Sequence, residues 1–265
     1  MGSIRFQGVN KVFGPENSGV KVLDDINLDI AEREFVAIVG PSGCGKTTCL
    51  RMAAGFEAPS SGIVSVSGRT VTQPGPDRAV VFQQFALFPW KTVRANIDLG
   101  LRNKNLPKDQ RDELIASALK LMNLESHAEA FPHQLSGGMQ QRVAIARAYV
   151  LDPEVLLMDE PFGALDAQTR VVMQEELVRL ARVNPRTVLF ITHAVEEAVY
   201  LADRVAIMTR RPGRIKEIID VRTIRQAENW DSFSKIEDVM DLDSFVHLRT
   251  HIWRSLREEK GPLGV

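Results

Sequence analysis

Residues Gly40–Thr47 read GPSGCGKT, set between an apolar, β-branched run, FVAIV at Phe35–Val39, and a helix-compatible stretch, KTTCLRMAAG. Strand, glycine-rich loop and helix in that order leave the chain few folds to choose from. Gly40, Gly43 and Gly45 let backbone N–H groups converge on an anion, and a helix beginning near Lys46 turns the positive end of its dipole to the same point. Lys46 adds a mobile cation for terminal phosphates, and the Thr47 hydroxyl stands where it can ligate Mg²⁺. Ser42, Cys44 and Thr48 belong to the same cradle. A triphosphate is the ligand that such a loop suits. The plainer reading, a turn that only joins a strand to a helix, is outweighed by the complete motif in its proper context.

Phosphate loops serve many activities, so the rest of the chain has to narrow the choice. Downstream stands LSGGMQQR at Leu135–Arg142, followed by VLLMDE at Val155–Glu160. Ser136 is a good N-cap for the apolar-periodic stretch MQQRVAIARAYV, and Gly137 and Gly138 would let a phosphate approach the backbone at that helix N-terminus. An ordinary helix start after the loop Phe131–His133 would look similar. Val155–Met158 has the pattern of a strand buried on both faces of a parallel sheet, and ligands bind beyond the carboxyl ends of such strands. Asp159 and Glu160 arrive at that end together, Asp159 placed to hold Mg²⁺ through its water shell and Glu160 to polarise an attacking water. Adjacent acids at a strand end are also common as solvated turn residues. Their place in LLMDE, after the second glycine motif, favours the chemistry.

In this order the three elements resemble the ATP-binding cassette family, the motor subunits of ABC transporters, over nearly the whole chain. The resemblance implies that Leu135–Met139 is the family's signature motif, with Ser136, Gly137 and Gly138 serving the γ-phosphate of an ATP held by a partner's phosphate loop. One complete set of motifs then requires two chains. The resemblance also implies a Q-loop glutamine at Gln83, which touches Mg²⁺ or the water, and a switch histidine at His193, after TVLFIT. Asp166, in GALD, matches the D-loop that crosses the dimer seam, although it also reads as the N-cap of AQTRVVMQEELVRL. Gly163 stands where many cassettes have serine. Phe13, in NKVFG, matches the aromatic platform for adenine, or else it is a core residue of the first strand. Arg33 occupies a position where a turn glycine is common, which puts that hairpin's shape in question. The implied catalytic set is thus Glu160, His193, Lys46 and Gln83, with Thr47, Gln83 and Asp159 around Mg²⁺.

Strand and helix patterns alternate along the chain, so the expected class is α/β. We expect a phosphate-loop NTPase core with a mostly parallel sheet, an antiparallel β subdomain and a helical signature subdomain. Residues 1–220 would form the nucleotide-binding domain, with a helical insertion at about 92–150, and 221–265 a C-terminal helical extension. With 33 Lys plus Arg against 34 Asp plus Glu, no basic field points to nucleic acid. No apolar run approaches the length of a membrane span, about 18 residues, and the start MGSIRFQG lacks a secretory apolar core. Cys44 and Cys49 suit a reducing compartment, and Cys44 reads either as a small loop filler or as a reactive thiol near a helix N-terminus.

FALFPW at Phe85–Trp90 is more apolar than a loop usually is. By resemblance it lies where a coupling helix of a membrane subunit docks; otherwise it is an internal aromatic cluster. PGPDRAVVFQ, LFPWKTVRANI and RRPGRI look like the branch serving nitrate, taurine and aliphatic sulfonate importers. That implies a second cassette subunit, two transmembrane permease subunits, an extracytoplasmic substrate-binding protein and a place on the cytoplasmic face of the bacterial inner membrane. The alternative is a non-transport cassette ATPase of DNA repair or translation. Those usually carry a long coiled-coil insertion or a tandem cassette, and neither is seen in this sequence.

Overall fold

The computed structural model describes residues 2–15, 18–102, 104–233 and 235–259. Its first elements are β1 (Ile4–Phe13), β2 (Val20–Ile30), β3 (Phe35–Val39), α1 (Lys46–Ala54), β4 (Ser61–Val66), β5 (Arg69–Thr70) and β6 (Arg78–Val81). A helical stretch follows, with α2 (Val93–Asp98), α3 (Lys108–Leu121) and α4 (Gly137–Tyr149). The chain then alternates through β7 (Val155–Asp159), α5 (Ala167–Val183), β8 (Thr187–Ile191), α6 (Val195–Leu201) and β9 (Arg204–Met208). It ends with β10 (Ile215–Asp220), α7 (Arg222–Ala227), α8 (Ile236–Met240) and α9 (Asp243–Glu259).

Two sheets form. One is antiparallel, in the order β2-β1-β4-β5. The other has the order β10-β9-β3-β8-β7-β6 and is parallel except for β10 at its edge. Every residue of β3 and β8 is buried. Val36, Ile38, Leu157, Leu189 and Ile191 point into the core that this sheet shares with α1 and the antiparallel sheet. Phe35, Ala37, Leu156, Met158 and Phe190 point the other way, into a core closed by α2–α6, α8 and α9. The period-2 alternation of a strand thus supplies both cores, each large apolar side chain contributing about 1.5–3 kcal/mol by leaving water. Because β3, β8, β7 and β6 run parallel, their carboxyl ends share one edge, the edge at which such sheets bind ligands.

Local departures from the sequence pattern have local causes. VRANIDLGLRNK reads as one helix, yet α2 stops at Asp98 and a 3₁₀ turn follows at Leu99–Leu101; Asn103 lies outside the described residues. Gly100 sits hard against α4 there, since a Cβ would stand 2.8 Å from the Arg147 carbonyl oxygen. Arg33 keeps the left-handed turn that a glycine would favour, with φ of 60°, and its N–H donates to Thr187 Oγ1 at 2.8 Å. After Val221 come α7, a 3₁₀ turn at Trp230–Ser232, α8 and α9. Among the described residues no helix is long and apolar enough to cross a membrane.

One contact binds the loop at 209–214 to the phosphate loop. A Cβ on Gly213 would lie 2.1 Å from the Cys44 carbonyl oxygen and 2.7 Å from Met208 Cε, and the Gly213 backbone bonds Val22 O at 2.8 Å and Asp24 N at 2.9 Å. Gly213→Ala should therefore push the phosphate loop out of place, destabilising the fold by about 2 kcal/mol, visible as a lower thermal midpoint together with weaker ATP binding.

Candidate functional site

The phosphate loop leaves β3 at Gly40 and enters α1 through Gly45, whose φ of 105° only glycine holds easily; a Cβ there would stand 2.4 Å from Leu23 Cδ2. Gly43, with φ of 75°, has no protein atom within 4 Å of its Cβ position, so its backbone is open to a ligand. The Lys46 side chain is buried and folds back along the loop, donating from Nζ to Gly40 O at 2.8 Å and Pro41 O at 3.2 Å. An ammonium has three donors, so one remains for a phosphate oxygen. Ser42, Gly43, Gly45, Lys46, Thr47 and Thr48 line a cavity of about 290 Å³ with Phe13, Val22, Glu160 and Arg211. Phe13 is at the end of β1, exposed rather than in a core, with Lys11 Nζ 4.7 Å from its ring centroid. Arg211 was not singled out in the sequence; its one signal was the RRPGRI segment.

The acids come from the end of β7. Asp159 Oδ1 accepts from Thr47 Oγ1 at 3.1 Å, so two oxygens from separate elements meet beside the phosphate loop. Burial pushes the Asp159 carboxyl above its ordinary range, the neighbouring Glu160 charge adds to this, and the Thr47 hydroxyl and the charges of Lys46 and Arg51 oppose it. A cation placed there would relieve that strain. Hard oxygens suit Mg²⁺, which keeps water and phosphate in the rest of its shell. Among the described residues no group of three or more His, Cys, Asp or Glu gathers that could hold a metal ion.

Glu160 follows with φ of 45°, an uncommon conformation for a side chain of this size, held by its N–H donating to Ile191 O at 2.9 Å. The turn brings Glu160 Oε2 to 3.1 Å from Nδ1 of His193, which stands exposed beyond the end of β8. Gln83 follows β6 and lies beside the same turn, its Nε2 being 3.2 Å from where a Gly163 Cβ would be. The glycine found in place of serine thus gives the glutamine room. Glu160, His193 and Gln83 meet at one sheet edge, as do Lys46, Thr47 and Asp159.

Ser136 and Gly138 are elsewhere. Ser136 caps α4, its Oγ accepting from Met139 N at 3.3 Å, and with Gly138 it lines a separate cavity shared with Gln168 and Thr169 of α5. No residue of that cavity lines the phosphate-loop pocket. A Cβ on Gly137 would meet only Leu165 Cδ2, at an ordinary 3.5 Å, whereas one on Gly138 would stand 2.5 Å from Thr169 Cγ2, so this second glycine lets α4 and α5 approach closely. Asp166 caps α5, accepting from Thr169 N at 3.0 Å and from Thr169 Oγ1 at 2.7 Å.

A family model described as "ABC transporter" matches residues 23–163. The chain belongs to the ABC transporter family. As a member it is an ATPase. It is 52% identical over 218 residues, 82% of each chain, to an uncharacterised ABC transporter ATP-binding protein, MJ0412, of Methanocaldococcus jannaschii. It is 46% identical over 213 residues, 80% of each, to the nitrate import ATP-binding protein NrtD of a Synechocystis species. Against the bicarbonate transport ATP-binding protein CmpC of Synechococcus elongatus the identity is 44% over 241 residues, 90% of this chain but 35% of that one. Among solved structures, the dimeric post-hydrolysis state of the ATP-binding cassette MJ0796 bound to ADP and Pi aligns with a TM-score of 0.72 at 31% identity, covering 83% of this chain and 99% of that one. The α/β cassette fold with its antiparallel sheet and helical stretch is shared with it.

Two outcomes follow from the electrostatics here. Both thiols are buried, and burial pushes the Cys44 and Cys49 thiols up, Cys49 the further, so neither holds a reactive thiolate near neutrality. Folded protein should take up no thiol reagent at neutral pH, and denatured protein two equivalents, by mass spectrometry. Because Asp159 keeps its proton to a higher pH than usual, Mg²⁺-dependent ATP affinity should climb as pH rises through that raised value and then level off. Asp159→Asn should flatten the climb in titrations carried upward from the ordinary carboxylate range.

Proposed function

We propose that the chain is the ATP-hydrolysing motor of an importer for a small anion of the nitrate, sulfonate or taurine kind, working as a homodimer beneath two permease subunits served by an extracytoplasmic binding protein. Its place would be the cytoplasmic face of a bacterial inner membrane. In this reading residues 1–220 are the motor and 221–265 an extension. The observation that carries it is the separation of Ser136 from the phosphate-loop pocket: within one chain the two anion sites line different cavities, so an ATP touching both must lie between two copies. The dimeric MJ0796 cassettes, and the relatives named for nitrate import and bicarbonate transport, support it.

The proposed mechanism uses the geometry as follows. Phe13 stacks on the adenine. The N–H groups around Gly43 and Gly45 and the third donor of Lys46 hold the β- and γ-phosphates. Thr47, Asp159 and Gln83 would hold Mg²⁺, which would neutralise phosphate charge. Glu160 keeps one carboxylate oxygen on His193 and turns the other to the attacking water, while His193 reads the γ-phosphate. Ser136 and Gly137 of the second copy close over the same phosphate, and Asp166 lies along the seam. Cleavage removes the group that both copies hold, and the difference in affinity between the two states does work on the membrane subunits.

The permease contact would be the loop after β6. Arg147 of α4 donates to the Ala86 and Phe85 carbonyls at 2.7 and 3.1 Å, and the buried Asn96 amide spans Phe88, Lys91 and Thr92. Phe85 and Leu87 pack inward, whereas Phe88 and Trp90 stand out, Trp90 being 69% exposed. The sequence reading missed both anchors, Asn96 and Arg147.

Glu160→Gln should bind MgATP normally, lose at least about 100-fold in phosphate release and persist as a dimer in sedimentation; normal turnover would reassign the water-activating role. Lys46→Ala should cost about 2–4 kcal/mol of ATP binding, measured by titration. Trp90→Ala should leave ATP binding intact and abolish co-purification with, or transport through, the permease; undiminished transport would discard this docking surface.

A further inference from the structure

Helix α9 has two unlike flanks. On one, Lys216 of β10 donates to Glu258 Oε2 at 2.8 Å and to Ser255 O at 3.1 Å, His251 meets Glu217 at 2.9 Å, and Arg210 N donates to Glu259 Oε2 at 3.1 Å. Phe245 and Ile252 are buried in the core shared with α6 and β9. This flank ties the helix to the cassette. The other carries Arg249, Trp253 and Arg257 one turn apart, with Arg254 beside them. Trp253 is 41% exposed, and among the described residues none of these four side chains has a hydrogen-bond or ion-pair partner.

This flank, which shares a cavity with Glu196 of α6, adjoins the nucleotide face. Trp253, Leu256 and Arg257 line a cavity of about 220 Å³ whose other walls are Gly40, Pro41 and Ser42 of the phosphate loop, His193 and Val195. A body that closes over Ser42 and His193 must therefore meet α9 as well. We infer that the Arg249–Arg257 face of α9 is part of the seam between cassettes, covered by a second copy of this chain. The inference rests on the sandwich reading above and adds to it a contact outside the nucleotide motifs. Charge is compatible with this: the approaching copy carries beside Gly137 the segment Leu165–Asp166, whose exposed carboxylate caps α5, together with Arg142 of the Ser136 cavity, whereas α9 against its own symmetry mate would set arginines against arginines. An exposed tryptophan among arginines is also the composition on which interfaces concentrate their affinity.

The test uses the full chain carrying Glu160→Gln, in saturating MgATP, with the dimer dissociation constant read by sedimentation. Adding Trp253→Ala with Arg257→Ala, or Arg257→Glu alone, should weaken the dimer at least about ten-fold. The melting midpoint and the ATP affinity of the dilute monomer should not move. Dimer constants within about two-fold of the parent in both variants would remove α9 from the seam. Weaker ATP binding by the monomer would instead make Arg257 a phosphate contact within its own chain, and would equally overturn the inference. If the Glu160→Gln parent binds ATP yet stays monomeric, the sandwich itself falls and takes this inference with it.

Discussion

The site depends on where the strands of the parallel sheet change from apolar to polar. β3, β8 and β7 are sealed into the sheet and β6 borders it as an edge strand, and they end where the polar groups begin: Gly40, the Thr192–His193 pair, Asp159 and the segment leading to Gln83. Sliding β7 inward by one residue would drag the Asp159 carboxylate toward the core, and sliding it outward by one would expose Met158. Burying an unpaired charge costs several kcal/mol, more than most core contacts return, so the polar ends stay level. Segments distant in sequence are thereby held within hydrogen-bond reach, as in Thr47–Asp159 and Glu160–His193.

Much of this was legible from residues. The apolar runs FVAIV, VLLM and TVLFI give β3, β7 and β8, and Ser136 and Asp166 cap the helices their side chains suit. What was not legible arises from contacts that have no local signature. Gly100 breaks a helix because a carbonyl from α4 lies against it, and the Phe85–Trp90 loop divides into inward and outward rings because Arg147 and Asn96 hold its carbonyls. Arg33 takes a glycine-like turn because Thr187, a strand away, receives its N–H. Arg211 lines the phosphate-loop pocket two residues before Gly213, whose backbone lies against the Cys44 carbonyl.

Single residues here often answer to two demands. Gly138 belongs to the glycine pair at the start of α4 and lets that helix lie against α5. Glu160 holds an unfavourable backbone angle and in return presents its carboxylate to His193. Cys44 fills space behind the loop while its carbonyl meets Gly213. Substitution at such places disturbs packing and chemistry together, so the exposed residues of α9 and the loop after β6 offer cleaner separations of role.

The pocket straddles a joint. Phe13 and Val22 belong to the antiparallel sheet, whereas Ser42–Thr48 hang from the parallel one, and the Gly213 backbone is a rivet between them. A nucleotide seated on both would act as a removable crossbeam. A diphosphate could fill that office as well as a triphosphate, leaving the stiffness within each subunit nearly constant through the cycle. The terminal phosphate would then govern only whether two already rigid halves stay clasped.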